Sequence, residues 1–133
     1  KLDIKKSATV TFTAGAYAFK KIEVDKNATL NFTLGGGAVI IDVVGKVKLD
    51  KQVVMTVSDG DASDILFRVN GDSVKVGNDG VILGTFVAPY ADFKIEKDAQ
   101  VTGALYGNEI QLKQNVSVTG APAITLLNDL FLP

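Results

Sequence analysis

Ile22-Glu23-Val24-Asp25-Lys26-Asn27-Ala28-Thr29-Leu30-Asn31-Phe32 alternates apolar and polar residues on both sides of a polar triplet. Side chains along a strand change face with a period of two, so Ile22 and Val24 share one side. Asp25-Lys26-Asn27 then turns the chain, and Ala28, Leu30 and Phe32 return to that side. The same eleven-residue pattern begins again at Leu2, Val47, Val74, Phe93 and Ile110. Its apolar positions carry no charge, and four of them are glycine: Gly80, Gly84, Gly103 and Gly120. The bend triplets are polar throughout: Lys5-Lys6-Ser7, Asp25-Lys26-Asn27, Asp50-Lys51-Gln52, Gly77-Asn78-Asp79, Glu96-Lys97-Asp98 and Lys113-Gln114-Asn115. Asn, Asp and Gly tolerate the left-handed backbone that such corners need. Ala8, Ala28, Gly80 and Ala99 follow four of the corners, where the inside of a bend has little room.

Between copies lies a third apolar segment: Tyr17 to Phe19, Val39 to Val44, Ile65 to Val69, Thr85 to Val87 and Ala104 to Tyr106. Three strand segments per repeat, stacked about 4.8 Å apart, predict an all-β fold. The expected architecture is a single-domain right-handed parallel β-helix, or β-solenoid, of about six coils, with an apolar C-terminal segment. Residues 1–120 make the coils and residues 121–133 depart from the pattern. Copies start at irregular intervals, which favours this type over a left-handed helix with its strict hexapeptide beat. Gly35-Gly36-Gly37 and Ser58 to Asp64 read as loops. Val81 and Leu83 are apolar at outward positions; the preceding acidic loop would cover them, or they form an exposed strip for a partner.

Composition excludes several classes. Apolar residues make up 47% of the 133, enough for a continuous core. No apolar run approaches the roughly 18 residues of a membrane span. The formal net charge is −1, with Arg68 as the only arginine, whereas a nucleic-acid binder shows a basic stripe and arginines for bidentate contacts. Cys is absent, so no disulfide framework exists. The chain opens at Lys1 without Met, which reads as a processed form or an excised piece. Richness in Thr, Asn, Asp and Gly leans towards an extracellular or cell-surface protein.

Catalysis is hard to build from this alphabet. Without His or Cys, a Ser or Thr nucleophile would need Lys or a carboxylate as base, and no Ser-x-x-Lys or Gly-x-Ser-x-Gly occurs. Asp42, Asp72 and Asp92 lie near the third segments of different coils and would line a groove if the chain cut polysaccharide. Asp59, Asp61 and Asp64 around Gly60 suit a hard cation such as Ca²⁺ but match no complete Ca²⁺ motif, and a solvated acidic loop is the favoured account. No cofactor is expected. Outward Thr11, Thr56, Thr102 and Thr119 align as a ladder interrupted by Asn31 and Leu83, the kind of surface on which some β-solenoids bind ice. The neighbouring column, Thr9, Thr29, Val54, Val81, Gln100 and Ser117, is mixed, and ordinary β-propensity accounts for surface Thr. Asn27, Asn31 and Asn115 stand in glycan-acceptor triplets.

The stretch Gly84-Thr85-Phe86-Val87-Ala88-Pro89-Tyr90-Ala91-Asp92-Phe93, followed by Val101-Thr102-Gly103-Ala104-Leu105-Tyr106-Gly107-Asn108, resembles the core of bacterial surface β-helical domains. These are domains of the choice-of-anchor A type and related pilus-associated ones. Ala14-Gly15-Ala16-Tyr17-Ala18-Phe19 and Asn27-Ala28-Thr29-Leu30 are similar to their opening, so the likeness covers most of residues 14 to 120. It implies secreted or cell-surface proteins of structural or adhesive role and carries over no catalytic residue. Bactofilins, which polymerise end to end, are a more distant likeness.

A β-solenoid exposes unpaired backbone at its end coils. Leu2 and Ile4 on the first coil, and Ile124, Leu126, Leu127, Leu130, Phe131 and Leu132 beyond the last, form the expected self-association surface. Large side chains such as these cost roughly 1.5–3 kcal/mol each when left in water. They therefore either cap the last coil or bridge copies head to tail into a filament. The reading is a non-enzymatic structural β-solenoid of a cell-surface assembly whose partner is a second copy of itself. The alternative is a carbohydrate- or surface-binding adhesin module, with a surface glycan as partner. Nucleic acid is not among the expected partners.

Overall fold

In the computed structural model, which describes residues 1–121 and 123, the chain winds in coils of three strands. Wall 1 contains β1 (Leu2–Ile4), β4 (Ile22–Val24), β7 (Val47–Leu49) and β10 (Ser73–Val76). Wall 2 contains β2 (Thr9–Thr13), β5 (Thr29–Thr33) and β8 (Val54–Ser58); wall 3 contains β3 (Gly15–Phe19), β6 (Val39–Val43) and β9 (Ile65–Val69). Two long strands, β11 (Val81–Ile95) and β12 (Gln100–Leu112), continue around the corners and serve all three walls in turn. β13 (Ser117–Gly120) closes wall 2. Every pairing is parallel, and each strand pairs with its counterpart in the next coil. The protein is thus the all-β right-handed parallel β-helix that the repeat predicts.

The stack is held inside by columns of apolar side chains. Ile22, Val24, Leu30, Phe32, Ile41, Val47, Leu49, Val74, Ile82, Phe93 and Ile95 are each at most 2% exposed. Phe67 lies flat on Phe86 with ring centroids 4.3 Å apart, and Phe12 lies on Phe32 at 5.5 Å. Such stacking follows from register: Phe67 pairs with Phe86, and Phe12 with Phe32, on adjacent coils.

The corners between walls 1 and 2 repeat one conformation. Ser7, Asn27, Gln52, Asp79, Asp98 and Asn115, the third residue of each triplet, all have φ between 59° and 63°. The N–H groups of the first five donate onward to the next coil. Ser7 donates to the Lys26 carbonyl, Asn27 to Lys51, Gln52 to Asn78, Asp79 to Lys97 and Asp98 to Gln114, at 2.8–3.2 Å. Between walls 2 and 3 the turn demands glycine instead. A Cβ on Gly103, which has φ +148°, would stand 1.9 Å from the Gly84 carbonyl oxygen.

Two places depart from the expected regularity. β8 pairs with β11 only at Val54–Val81; beyond it the Met55 sulfur accepts the Leu83 N–H at 3.4 Å, so a side chain fills the gap between coils. The loop before β9 carries a 3-10 turn, Ala62–Asp64, that packs against β11. Val81 and Leu83 are half-exposed. At the end of the chain, Ala121 N–H bonds the Gly103 carbonyl, but Ala123 N–H donates to the Thr85 hydroxyl at 2.8 Å, one coil further back. Ala123 and Thr85 are both buried. Ala123 thus reaches past the neighbouring coil to the one before it. Ile124, Leu126, Leu127, Leu130, Phe131 and Leu132 lie outside the described residues.

Candidate functional site

Wall 2 brings the outward Thr residues together. Thr11 pairs with Asn31, Asn31 with Thr56, Leu83 with Thr102, and Thr102 with Thr119. The second column runs Thr9, Thr29, Val54, Val81, Gln100 and Ser117. Both columns are those the repeat predicts. A third column, Thr13, Thr33 and Ser58, extends the wall on the first three coils. The eleven-residue pattern stops one position short of it; strands of five residues in β2, β5 and β8 supply it. None of these outward positions is charged. Spacing is about 4.8 Å between coils and about 6.6 Å between alternate residues on one strand. The Thr56 hydroxyl donates to the Asn31 side-chain oxygen across a coil boundary, which fixes the two side chains relative to each other.

Wall 1 shares those coils and inverts the chemistry. Its outward column is Asp3, Glu23, Lys48, Lys75, Lys94 and Gln111. Lys1 and Lys21 approach the Glu23 carboxylate at 3.1 and 3.0 Å, and Lys5 donates to Asp3 at 2.9 Å. Hydrogen bonds from Lys21 and Lys1 hold the Glu23 carboxyl down to about 2.

The acidic candidates disperse. Asp42 sits on wall 3 and is held by Arg68 in a two-pronged pair at 2.6 and 2.8 Å. The Asp92 carboxylate accepts from the Asn108 side chain at 3.0 Å, and Asp72 meets Asp92 only through its backbone carbonyl. Among the described residues Asp42, Asp72 and Asp92 do not converge into one cluster. The Ca²⁺ candidate fares likewise. Asp61 accepts from Ser63 N–H and hydroxyl, and Asp64 accepts from Asp61 N–H at 3.0 Å, a capping box on the 3-10 turn. The bonds from Ser63 pull the Asp61 carboxyl below its ordinary range. Among the described residues, no three such side chains converge to hold a metal ion, Asp59, Asp61 and Asp64 included. The physical reason is local: a short polar loop spends its carboxylates on its own orphan N–H groups. Of the self-association residues, Ile4 is buried and Leu2 half-buried.

Among the described residues no helix is long and apolar enough to cross a membrane. A family model, that of an ice-binding-like adhesive domain, matches residues 3–119. A crystal structure of an ice-binding protein from the Antarctic ascomycete Antarctomyces psychrotrophicus is similar in fold, with a TM-score of 0.60 at 20% identity. The match takes in 91% of this chain and 59% of that one, so the chain spans under two thirds of that protein. No curated protein matches the chain. The narrower likenesses to choice-of-anchor A domains and to bactofilins find no support in these matches.

Proposed function

The chain belongs to the family of ice-binding-like adhesive domains, and on that premise we propose that it attaches, without catalysis, to an extended solid surface through wall 2. The observation that carries this is the absence of charge from every outward position of that wall across six coils. An ordinary solvent-facing sheet is interspersed with Lys and Glu, which keep their hydration shells and hold a surface away. Thr, Ser, Asn and Gln lose hydration at lower cost than charged groups and repeat hydroxyl and amide groups about 4.8 Å apart, with Val54, Val81 and Leu83 among them. The ligand chemistry that suits such a wall is a repeating array of uncharged O–H groups, presented by ice or by a crystalline polysaccharide.

Labelled protein partitioned into a growing ice crystal, and separately onto crystalline cellulose, tests the reading and distinguishes the two sources. The expected result is enrichment on one of them that falls about tenfold or more in the Thr11→Lys/Thr56→Lys variant, with stability changed by less than about 1 kcal/mol. Enrichment on neither, or an unimpaired variant, overturns it.

A second reading, stacking of copies end to end, rests on the last coil. There Ile110, Leu112 and Val118 point along the core columns yet are 40%, 48% and 44% exposed. A second copy placing its first coil on these residues would continue the columns of walls 1 and 2. Sedimentation at rising concentration checks it: a monomer throughout excludes the stack.

A further inference from the structure

Lys48, Lys75 and Lys94 occupy one outward column of wall 1 on three successive coils, in direct register. All three are exposed. Like charges facing each other across a parallel ladder about 4.8 Å apart repel, and natural sheets avoid the arrangement. Among the described residues none of the three forms an ion pair. The same column one coil earlier shows the ordinary solution, since Glu23 there lies within 3.1 Å of both Lys1 and Lys21. Asp50 and Glu96 stand two residues beyond Lys48 and Lys94 on the same edge, close enough in sequence to pair, yet they border the ladder instead.

The ladder also has a channel beside it. A shallow groove of about 310 Å³ is lined by Asp50, Lys51, Lys75, Gly77, Asn78 and Glu96. Gly77 leaves the middle of that edge without a side chain, and any Cβ there would lie 2.4 Å from the Lys51 nitrogen. Lys75 shares that groove with Asp50 and Glu96 and forms an ion pair with neither.

We propose that this lysine ladder is a second binding site, on a different wall from the adhesive surface, that takes a single chain of a carboxylated polysaccharide lying along the coil axis. The width of the positive strip selects the partner. It is one side chain wide and flanked by Asp92 on one side and by Asp50 and Glu96 on the other, so only a narrow linear polyanion avoids those carboxylates. A broad anionic plane, such as a lipid bilayer, would press against them. Duplex nucleic acid is disfavoured in the same way, and Arg68, the single arginine, is engaged with Asp42. Lysine suits a carboxylated glycan well, because a compact ammonium on a flexible stem follows a polymer whose repeat does not match the coil spacing.

The test uses the whole chain and immobilised polygalacturonate at low salt, with neutral glucan, duplex DNA and phosphatidylserine vesicles as comparisons. Binding to polygalacturonate is expected, weakening as salt is added. It should fall about tenfold or more in the Lys48→Gln/Lys75→Gln/Lys94→Gln variant and survive replacement of the same three residues by Arg. Adhesion through wall 2 should be unchanged in both variants, which separates failure of this site from failure of that one. No binding to polygalacturonate overturns the proposal, as does undiminished binding by the glutamine variant or a preference for DNA or vesicles.

Discussion

Walls 1 and 2 are built on the same coils, around the same core, a few residues apart in the chain, and they face solvent with opposite chemistry. Wall 1 is charged at nearly every outward position, from Asp3 and Glu23 to Lys48, Lys75 and Lys94. Wall 2 presents Thr11, Asn31, Thr56, Thr102 and Thr119 with no charge at all. Their interiors are interchangeable: Ile22 and Leu30, or Ile95 and Val101, are equally buried. The contrast teaches that the core sets where the walls stand, while composition outside it is free to specialise wall by wall. Charge belongs on a sheet exposed to water, so the wall that lacks it is the one that needs an explanation.

The harshest way to break the contrast is to remove the scaffold beneath both walls. Gly103→Ala puts a Cβ 1.9 Å from the Gly84 carbonyl oxygen at a φ of +148°, and backbone cannot yield there as a flexible side chain would. A loss of about 3 kcal/mol or more is expected, read as a large fall in melting temperature, with both surfaces failing together. A variant that melts like the parent would show that the coils tolerate sliding, and the register on which both walls depend would lose its basis.

A smaller effect sharpens the contrast. Lys75→Glu sets a carboxylate between Lys48 and Lys94 and should raise stability by about 0.5–1 kcal/mol at low salt, less at high salt. Thermal melts across ionic strength check it. A variant that is more stable yet less able to hold a polyanion would mean that wall 1 gives up stability for its ligand.

The gentlest comparison is pH. Glu23 is depressed to about 2 by Lys21 and Lys1, below its ordinary value of 4.5. Its folded-state value is lowered, so its contribution is present above about 4.5 and is lost as pH falls towards about 2. Wall 2 has no titratable group among its outward residues. A mild acid melt should therefore differ between the parent and Glu23→Gln, while attachment through wall 2 stays level over the same range.

Much of this was legible in the chain. Period-two alternation around polar triplets located the three walls, because a dry interior admits no charge at Ile22, Val47 or Phe93. The left-handed corners followed from Ser7, Asn27 and their equivalents, and the two Thr-containing columns from register alone. The lysine ladder was equally present, at Lys48, Lys75 and Lys94. It is hidden in the linear chain because its members stand 27 and 19 residues apart and look well mixed with acids along the sequence. Mixing in one dimension became segregation when the chain was wound. The Met55 sulfur between coils and the return of Ala123 to Thr85 had no signal, since both depend on side-chain reach across distant segments. The acidic loop was ambiguous for the opposite reason: Asp61 and Asp64 serve their own backbone, a local demand that looks the same in sequence as an ion's ligand set.

The corner N–H groups that bond only to the following coil have a mechanical consequence. Each corner along the axis is closed by a similar bond to the following coil. A load applied across such a stack, with one side gripping a substrate, would open the junctions in succession. Each opening releases a length of slack before the next junction is stressed. An anchor built this way yields in steps and absorbs work, where a single rigid clasp would snap.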